Sequence, residues 1–430
     1  MNQLRLFLPC AAGVEDFLAQ EVHGLTGLAG DDLLVARAGV RLRASWRDAL
    51  LLNLHCRLAQ RVLIEVALAS YRNEADLYEI ASNVAWEAWF TPRQTFKVET
   101  TAQHSPLKSL NFATLKIKDA IVDRFRARAG GVRPSIETQW PDVRVFAHLT
   151  PDELTLYVDS SGEPLFKRGW RQDKGDAPLK ETLAAALLAA SGWWDPESGA
   201  VADLPLYDPC CGSGTIAIEA AQIALGIAPG GLRRFGFERL LPFQPHVWDA
   251  IKSEAQKRDN TSGEGQNSSK ISVKPLIFGS DVAHRMVDFA QRNAERAGVA
   301  AAIELRGGDA LQRLPPTETA GVLLLNPPYG ERIEVAGVAG ARTAGGREQA
   351  QTEDGGEFFS QLASHWKKHY SGWSAWVLTP DFKLASRMRL KESRRVPLWN
   401  GPIECRLLRF DMVRGSARDR TAHAATNDPA

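Results

Sequence analysis

The sequence predicts an α/β protein: a doubly wound parallel sheet in the C-terminal half, preceded by a smaller α+β region. Three observations predict it. After "GEPLFKRGWR" (162–171), strand-length apolar runs alternate with helix-length amphipathic segments, the pattern of a sheet wound on both faces. Before that point strands fall beside one another between helices, an α+β texture. Four strands of the second half also end in an acid or an amide, at Asp208, Asp281, Asp309 and Asn326. Ligands of doubly wound sheets bind at those carboxyl ends.

Taken in order, "LRLFLPC" is strand-like. "GVEDFLAQEVHGL" spaces Val14, Phe17, Leu18 and Val22 as one helix face. Residues 30–44 alternate as strands do. "WRDALLLNLHCRLAQRVLIEVA" (46–67) predicts one long helix. A helix "DLYEIASNVAWEAWF", a strand "TFKVETTAQ", a loop "HSPLKSL" and a long helix "NFATLKIKDAIVDRFRARAG" follow, closed by the strand pair "DVRVFAHLT" and "ELTLYVDSS". The α/β half then opens with a helix, "LKETLAAALLAASGWW". Strands "LPLYDPC", "LIFGSDV", "AIELRGGDA", "GVLLLNPPY" and "SAWVLTP" alternate with the helices "SGTIAIEAAQIALG", "HRMVDFAQRNAERAGV" and "EFFSQLASHWKKHY". Polar residues 257–270 predict a flexible insert and 335–356 a mobile loop. Residues 414–430 read as a disordered tail.

Composition excludes some classes. The 430 residues are 44% hydrophobic and 24% charged, as in ordinary globular chains. A net charge of +1 gives no global attraction to a polyanion, so a nucleic-acid surface must come from local asymmetry. Five scattered cysteines, with only Cys210 and Cys211 adjacent, form neither a disulfide framework nor a zinc spacing. No metal is expected. The N-terminal apolar stretch is too short for a signal segment and no run is long enough for a membrane span, so a cytoplasmic location is expected.

"DPCCGSGT" (Asp208 to Thr215) sits where a strand turns into a helix. Gly212 and Gly214 permit a tight turn and close approach of a ligand. No Gly-Lys-Ser/Thr follows, so it is not a nucleotide P-loop. An acid, then Gly212, Ser213, Gly214 and Thr215 at a helix N-terminus, suits a ligand with an amino-acid portion: Asp208 attracts an ammonium or sulfonium and the helix end supports a carboxylate. Asp281 is placed to accept ribose hydroxyls, and Asp309 an adenine amine. Each acid alone is an ordinary helix cap; three behind consecutive strands make a site. Asn326 ends the fourth strand. Its side-chain oxygen and the Pro327 carbonyl can accept both hydrogens of a planar amine, with Pro327 and Pro328 stiffening the pair and Tyr329 stacking on the substrate. Amine transfer requires no protein nucleophile, so Cys210 and Cys211 belong to the ligand loop.

These strings resemble a known family. "DPCCGSGT" with "NPPY" is similar to the S-adenosylmethionine-dependent amino-methyltransferases. "FKRGWR", "PLKETLAAALL", "DPCCGSGTIAIEAA", "GSD", "NPPYGER" and "NGPIECRLLRF" resemble the THUMP-containing RlmL enzymes, and "NFATLKIKDAIVDRF" with "DVRVFAHL" resembles their THUMP segment. The resemblance implies an N-terminal ferredoxin-like segment (1–55), a THUMP-like RNA-binding domain (56–165) and a Rossmann-like class I methyltransferase domain (166–413). It implies S-adenosylmethionine as cofactor and the exocyclic amine of a guanine in large-subunit (23S) ribosomal RNA, naked or in a pre-ribosomal intermediate, as target. Cys210 stands where the family often has Met.

Candidate RNA contacts are basic residues. Lys108, Lys116, Arg124 and Arg128 lie in the THUMP-like region; Lys167, Arg168 and Arg171 cluster at the junction; Arg233, Arg234 and Phe235 lie in an insertion between the first two sheet strands. Trp140 and Trp170 are candidate stacking residues. Transfer RNA, DNA adenine, protein glutamine and a non-enzymatic RNA-binding assembly role are the alternatives.

Overall fold

The computed structural model describes residues 3–175, 178–261, 276–327 and 355–413. The chain divides into two compact units. One comprises Met1–Cys10, Val14–Gly169 and Ala228–Asn260; the other comprises Ala11–Gly13, Trp170–Ile227 and Thr261–Ala430.

The first unit is built from β1 (Leu4–Pro9), α1 (Glu15–Thr26), β2 (Leu33–Ala36), β3 (Gly39–Ala44), α2 (Trp46–His55), β4 (Leu63–Ser70), α3 (Glu74–Asn83), β5 (Thr95–Ala102), α4 (Leu110–Arg128), β6 (Ser135–Ile136), β7 (Val143–Leu149) and β8 (Glu153–Asp159). The strands form one sheet in the order β2-β3-β1-β4-β8-β7-β5-β6. The segments expected to be ferredoxin-like and THUMP-like thus share a sheet, joined where β1 pairs antiparallel with β4. Strand alternation follows the core: Val143, Val145, Ala147 and Leu149 of β7 are all buried and their neighbours are not. α2 and α3 begin at capping boxes, Ser45 with Asp48 and Asn73 with Asp76.

The long helix expected over 46–67 is two elements. α2 stops at His55, and Leu63–Ser70 is β4. The reason is tertiary. The buried Glu21 carboxylate accepts from the backbone N–H of Arg57 at 2.6 Å and of Leu58 at 3.0 Å, and from the Cys56 thiol at 3.0 Å. Donors that would continue the helix are taken by a side chain 36 residues earlier in the chain.

The second unit contains α5 (Glu181–Ala190), β9 (Leu206–Asp208) and α6 (Thr215–Ala224). The chain then forms α7 (Pro245–Thr261), grouped through Asn260 with the first unit. It continues with β10 (Ile277–Asp281), α8 (His284–Arg296), β11 (Ile303–Gly307), β12 (Val322–Leu325), α9 (Gly355–His369), β13 (Ser374–Thr379), α10 (Leu384–Met388), β14 (Arg394–Asn400) and β15 (Ile403–Asp411). Sheet order is β11-β10-β9-β12-β13-β15-β14. The strands from β11 to β13 are parallel, and β15 is antiparallel to both neighbours. The order reverses between β9 and β12, which opens the ligand crevice of such sheets. β12 is buried throughout, so its sequence is an unbroken apolar run. One face packs Leu323, Leu325 and Phe410 against Leu362 and Trp366 of α9; each such apolar side chain contributes about 1.5–3 kcal/mol.

α7 occupies part of the segment expected to be flexible. Residues 262–275, the loop expected over 335–356 as far as residue 354, and the tail 414–430 lie outside the described residues; residues 355 and 356 begin α9. Among the described residues no helix is long and apolar enough to cross a membrane.

Candidate active site

Register aligns the strand ends. Asp208 of β9 is level with Gly279 of β10, so Asp281 lies two residues further toward the carboxyl edge. Asp281 is level with Gly307 of β11, and Asp309 again lies two further. Leu323 of β12 pairs with Tyr207, so Asn326 leaves the sheet on the same edge. The four residues singled out in the sequence therefore stand at one edge of the sheet.

The loop after β9 is a backbone cradle. Gly212 and Gly214 have φ of 53° and 86°, in the left-handed region. A Cβ on Gly214 would come within 2.9 Å of the Ala290 Cβ, and one on Gly279 within 3.3 Å of the Cys211 Cβ. Gly279, a glycine inside an apolar strand, leaves room for Leu305, whose Cδ2 would be 2.8 Å from a Cβ there, and for Cys211 of the cradle. The Asp281 carboxylate accepts from Gly212 N–H and from Ala283 N–H, both at 2.9 Å. Asp208 accepts from Cys210 N–H at 3.0 Å, and Asp309 from Leu311 N–H at 2.9 Å. Each acid uses part of its accepting capacity on the local turn and keeps further lone pairs.

Burial pushes the Asp208 carboxyl up to about 8; the Cys210 N–H works against this, and the negative Asp281 adds to it. Asp281 is also raised, chiefly by burial. Such acids regain their charge when a cation is placed beside them. Burial pushes the Cys210 and Cys211 thiols well up, so both stay protonated at neutral pH and neither is a ready nucleophile.

Asn326 differs from every acid of the site. Its side-chain oxygen is buried and accepts no hydrogen bond among the described residues. An acceptor left so costs about 1–3 kcal/mol. Pro327 beside it is buried; Pro328 and Tyr329 lie outside the described residues.

Several of the basic residues expected to contact phosphates make hydrogen bonds or ion pairs within the chain. Arg171 belongs to the cradle. Its guanidinium donates to Thr215 Oγ1 and the Leu179 carbonyl at 2.9 Å and to Glu181 at 2.8 Å, with Ser213 Oγ at 3.5 Å. The adjoining Asp173 is held by Arg292 and Arg296 of α8. Arg168 is 2% exposed and donates to the carbonyls of Leu165 and Arg57. Arg233 donates to the carbonyls of Ser161, Glu163, Pro164 and Lys167. Phe235 and Trp170 are core residues. Arg124 is bidentate on Glu87, and Lys167 is paired with Glu163. Each of these cations faces carbonyls or a carboxylate, and except for Glu163, four residues before Lys167, the partners are not evident from the linear sequence. Lys108, Arg128 and Arg234 are exposed, as is Trp140. Lys116 lines a cleft of about 450 Å³ beside α4 with Lys118, Arg126 and Arg133, where Asp119 and Asp123 pair with Lys118 and Arg126.

The strand order and strand-end acids are those of a class I methyltransferase fold, which follows an α+β unit in the chain. Residues 5–63 match the RlmL ferredoxin-like domain, 71–159 the THUMP domain and 168–341 the RMKL-like methyltransferase domain. Among curated relatives, ribosomal RNA large subunit methyltransferase K/L of Psychromonas ingrahamii is 34% identical over 95% of this chain and 50% of its own length. The protein of the same name from Shewanella pealeana is 36% identical over 94% and 52%. The chain thus spans about half the length of the curated relatives it matches. Among solved structures, SMU.472, complexed with SAH, superposes with a TM-score of 0.79 at 26% identity, covering 97% of this chain and 100% of that one. A predicted N6-adenine-specific DNA methylase from Listeria monocytogenes gives 0.78 at 28%, covering 95% and 96%.

Proposed function

We propose that the chain transfers a methyl group from S-adenosylmethionine to the exocyclic amine of a guanine in large-subunit (23S) ribosomal RNA. The observation that carries this is the buried, unpartnered oxygen of Asn326 at the mouth of a cofactor-type crevice. A planar amine supplies the donor that this oxygen lacks. With the Pro327 carbonyl as second acceptor, both amine hydrogens are held and the nitrogen lone pair is aimed.

The cradle fits the cofactor. Asp208 would face the cationic amino-acid portion, Asp281 the ribose hydroxyls and Asp309 the adenine amine. The bound cofactor supplies an electrophilic methyl group. The chain's own residues bind, orient and exclude water; no cysteine attacks the base, in keeping with the raised thiols of Cys210 and Cys211. The THUMP domain, with Lys116 and Arg133 in the cleft beside α4, supports RNA as substrate, free or in a ribosome assembly intermediate. The names of the K/L relatives support the large subunit as its source.

A second reading, adenine in DNA, is favoured by the Listeria neighbour alone. The test is nucleoside mass spectrometry of ribosomal RNA from a strain lacking the protein. The reading expects one N2-methylguanosine to be lost and to be restored by the purified full chain with S-adenosylmethionine. Unchanged ribosomal RNA, with methyladenine lost from DNA, contradicts it.

A further inference from the structure

We propose that Phe382 and Arg406 form a stacking platform for the nucleotide flanking the target base. The inference rests on the RNA-methylation reading above and adds a binding element to it.

Position comes first. β13 pairs in parallel with β12, Val377 against Leu325, so Thr379 lies two residues beyond that pair, on the edge where Asn326 leaves the sheet. The three acids occupy the ends of β9, β10 and the loop after β11, on the far side of β12. A polymer reaching Asn326 from the side away from the cofactor crosses the end of β13. Phe382 is there, 48% exposed in the turn after that strand.

The turn is fixed. Thr379 Oγ1 accepts from Asp381 N–H at 3.0 Å, and the Asp381 carboxylate accepts from Lys383 N–H at 2.9 Å. Arg387 pairs with Asp381 at 3.1 Å, and Leu384 is buried. An aromatic ring is thus held toward water by a rigid turn, with no core to fill.

Arg406 completes the surface. It lies opposite Thr379 in the β13–β15 ladder, and its guanidinium carbon is 3.8 Å from the centre of the Phe382 ring. That is stacking distance, closer than the 4.7 Å of Arg61 over the Phe146 ring. Arg406 makes no ion pair among the described residues, whereas Arg409, on the same strand, is paired with Asp411. A half-exposed ring, a planar cation against it and the exposed Lys383 beside it match a base and its phosphate.

The test uses the full chain and an in-vitro-transcribed large-subunit RNA. RNA affinity, cofactor affinity and single-turnover rate at saturating RNA are measured for Phe382→Ala, Phe382→Trp, Arg406→Gln and Arg406→Lys. Phe382→Ala is expected to weaken RNA binding roughly 5- to 100-fold, the equivalent of one lost base stack. Cofactor affinity and the saturated rate should stay within about twofold, and Phe382→Trp should restore binding. Arg406→Gln should weaken binding and reduce the salt slope by about one, while Arg406→Lys keeps the slope. Folded Phe382→Ala and Arg406→Gln proteins with wild-type RNA affinity overturn the platform alone. A wild-type chain that neither binds nor methylates RNA overturns the parent reading and the platform with it.

Discussion

At the residue scale, Asp208 states the site's electrostatic problem. A carboxyl whose ordinary value is 3.8 is raised to about 8 in the fold, so unfolding favours its ionisation. For an acid raised in the folded state, the unfolded chain loses its proton first as pH rises. Asp208 therefore lowers stability progressively between about pH 4 and pH 8, with no further change above. A bound cation reverses this. Asp208→Asn is predicted to raise the melting temperature of the unliganded protein at pH 7 by a few degrees, about 1 kcal/mol or more, and to weaken S-adenosylmethionine binding at least tenfold. Calorimetric melting and titration of the same protein check both. A variant less stable than wild type with unaltered cofactor affinity contradicts the assignment. Asp208, Asp281 and Asn326 were singled out in the sequence because each ends an apolar run of the second half, and Asp309 because it follows the strand after Asp281. Arg171 was not: a cation among cations reads as a phosphate contact until the fold brings Thr215 and Glu181 to it.

At the element scale, the turn from β9 into α6 works through its backbone. Gly214 combines a left-handed φ of 86° with a 2.9 Å approach to Ala290 of α8. Gly214→Ala adds both backbone strain and a collision with α8, costing about 1–3 kcal/mol. It should lower the melting temperature by several degrees and weaken cofactor binding, whereas Gly226→Ala is open in space and should bear only the strain of its own φ of 70°. Equal effects of the two on cofactor affinity would show that the close packing of turn and α8 is irrelevant to the cradle. The break between α2 and β4 is the element the sequence hid. Its apolar pattern suits a helix, and only the distant Glu21 ends it.

At the scale of the molecule, sequence order and spatial grouping part company at residues 228–260. They lie between the first two strands of the methyltransferase sheet yet group with the first unit. Phe237 N–H donates to the Ser160 carbonyl and Leu241 N–H to that of Trp89, and Phe235, Phe237 and Trp248 pack as a buried aromatic cluster. A fragment of residues 166–430 would strip this segment of Ser160 and Trp89. It is predicted to aggregate or melt at least 10 °C below the full chain. Replacing 228–260 by a short polar linker should recover a folded, cofactor-binding fragment with little RNA affinity. Size-exclusion chromatography and thermal melting of both fragments decide the matter; a stable, monodisperse 166–430 fragment would contradict the grouping. A linear reading placed this insertion within one domain because sequence adjacency is the only distance a sequence displays.

The central claim is that Asn326 holds and aims the amine. Its contribution belongs to the transition state, when the amine pyramidalises and its hydrogens become acidic. The most direct measurement is single-turnover methylation by Asn326→Ala alongside equilibrium binding of S-adenosylmethionine and RNA. The account predicts a rate loss on the order of 100- to 1,000-fold, comparable to removing one preorganised hydrogen-bonding group from an active site, with both affinities within about threefold of wild type. A folded Asn326→Ala protein that methylates at close to the wild-type rate would contradict it.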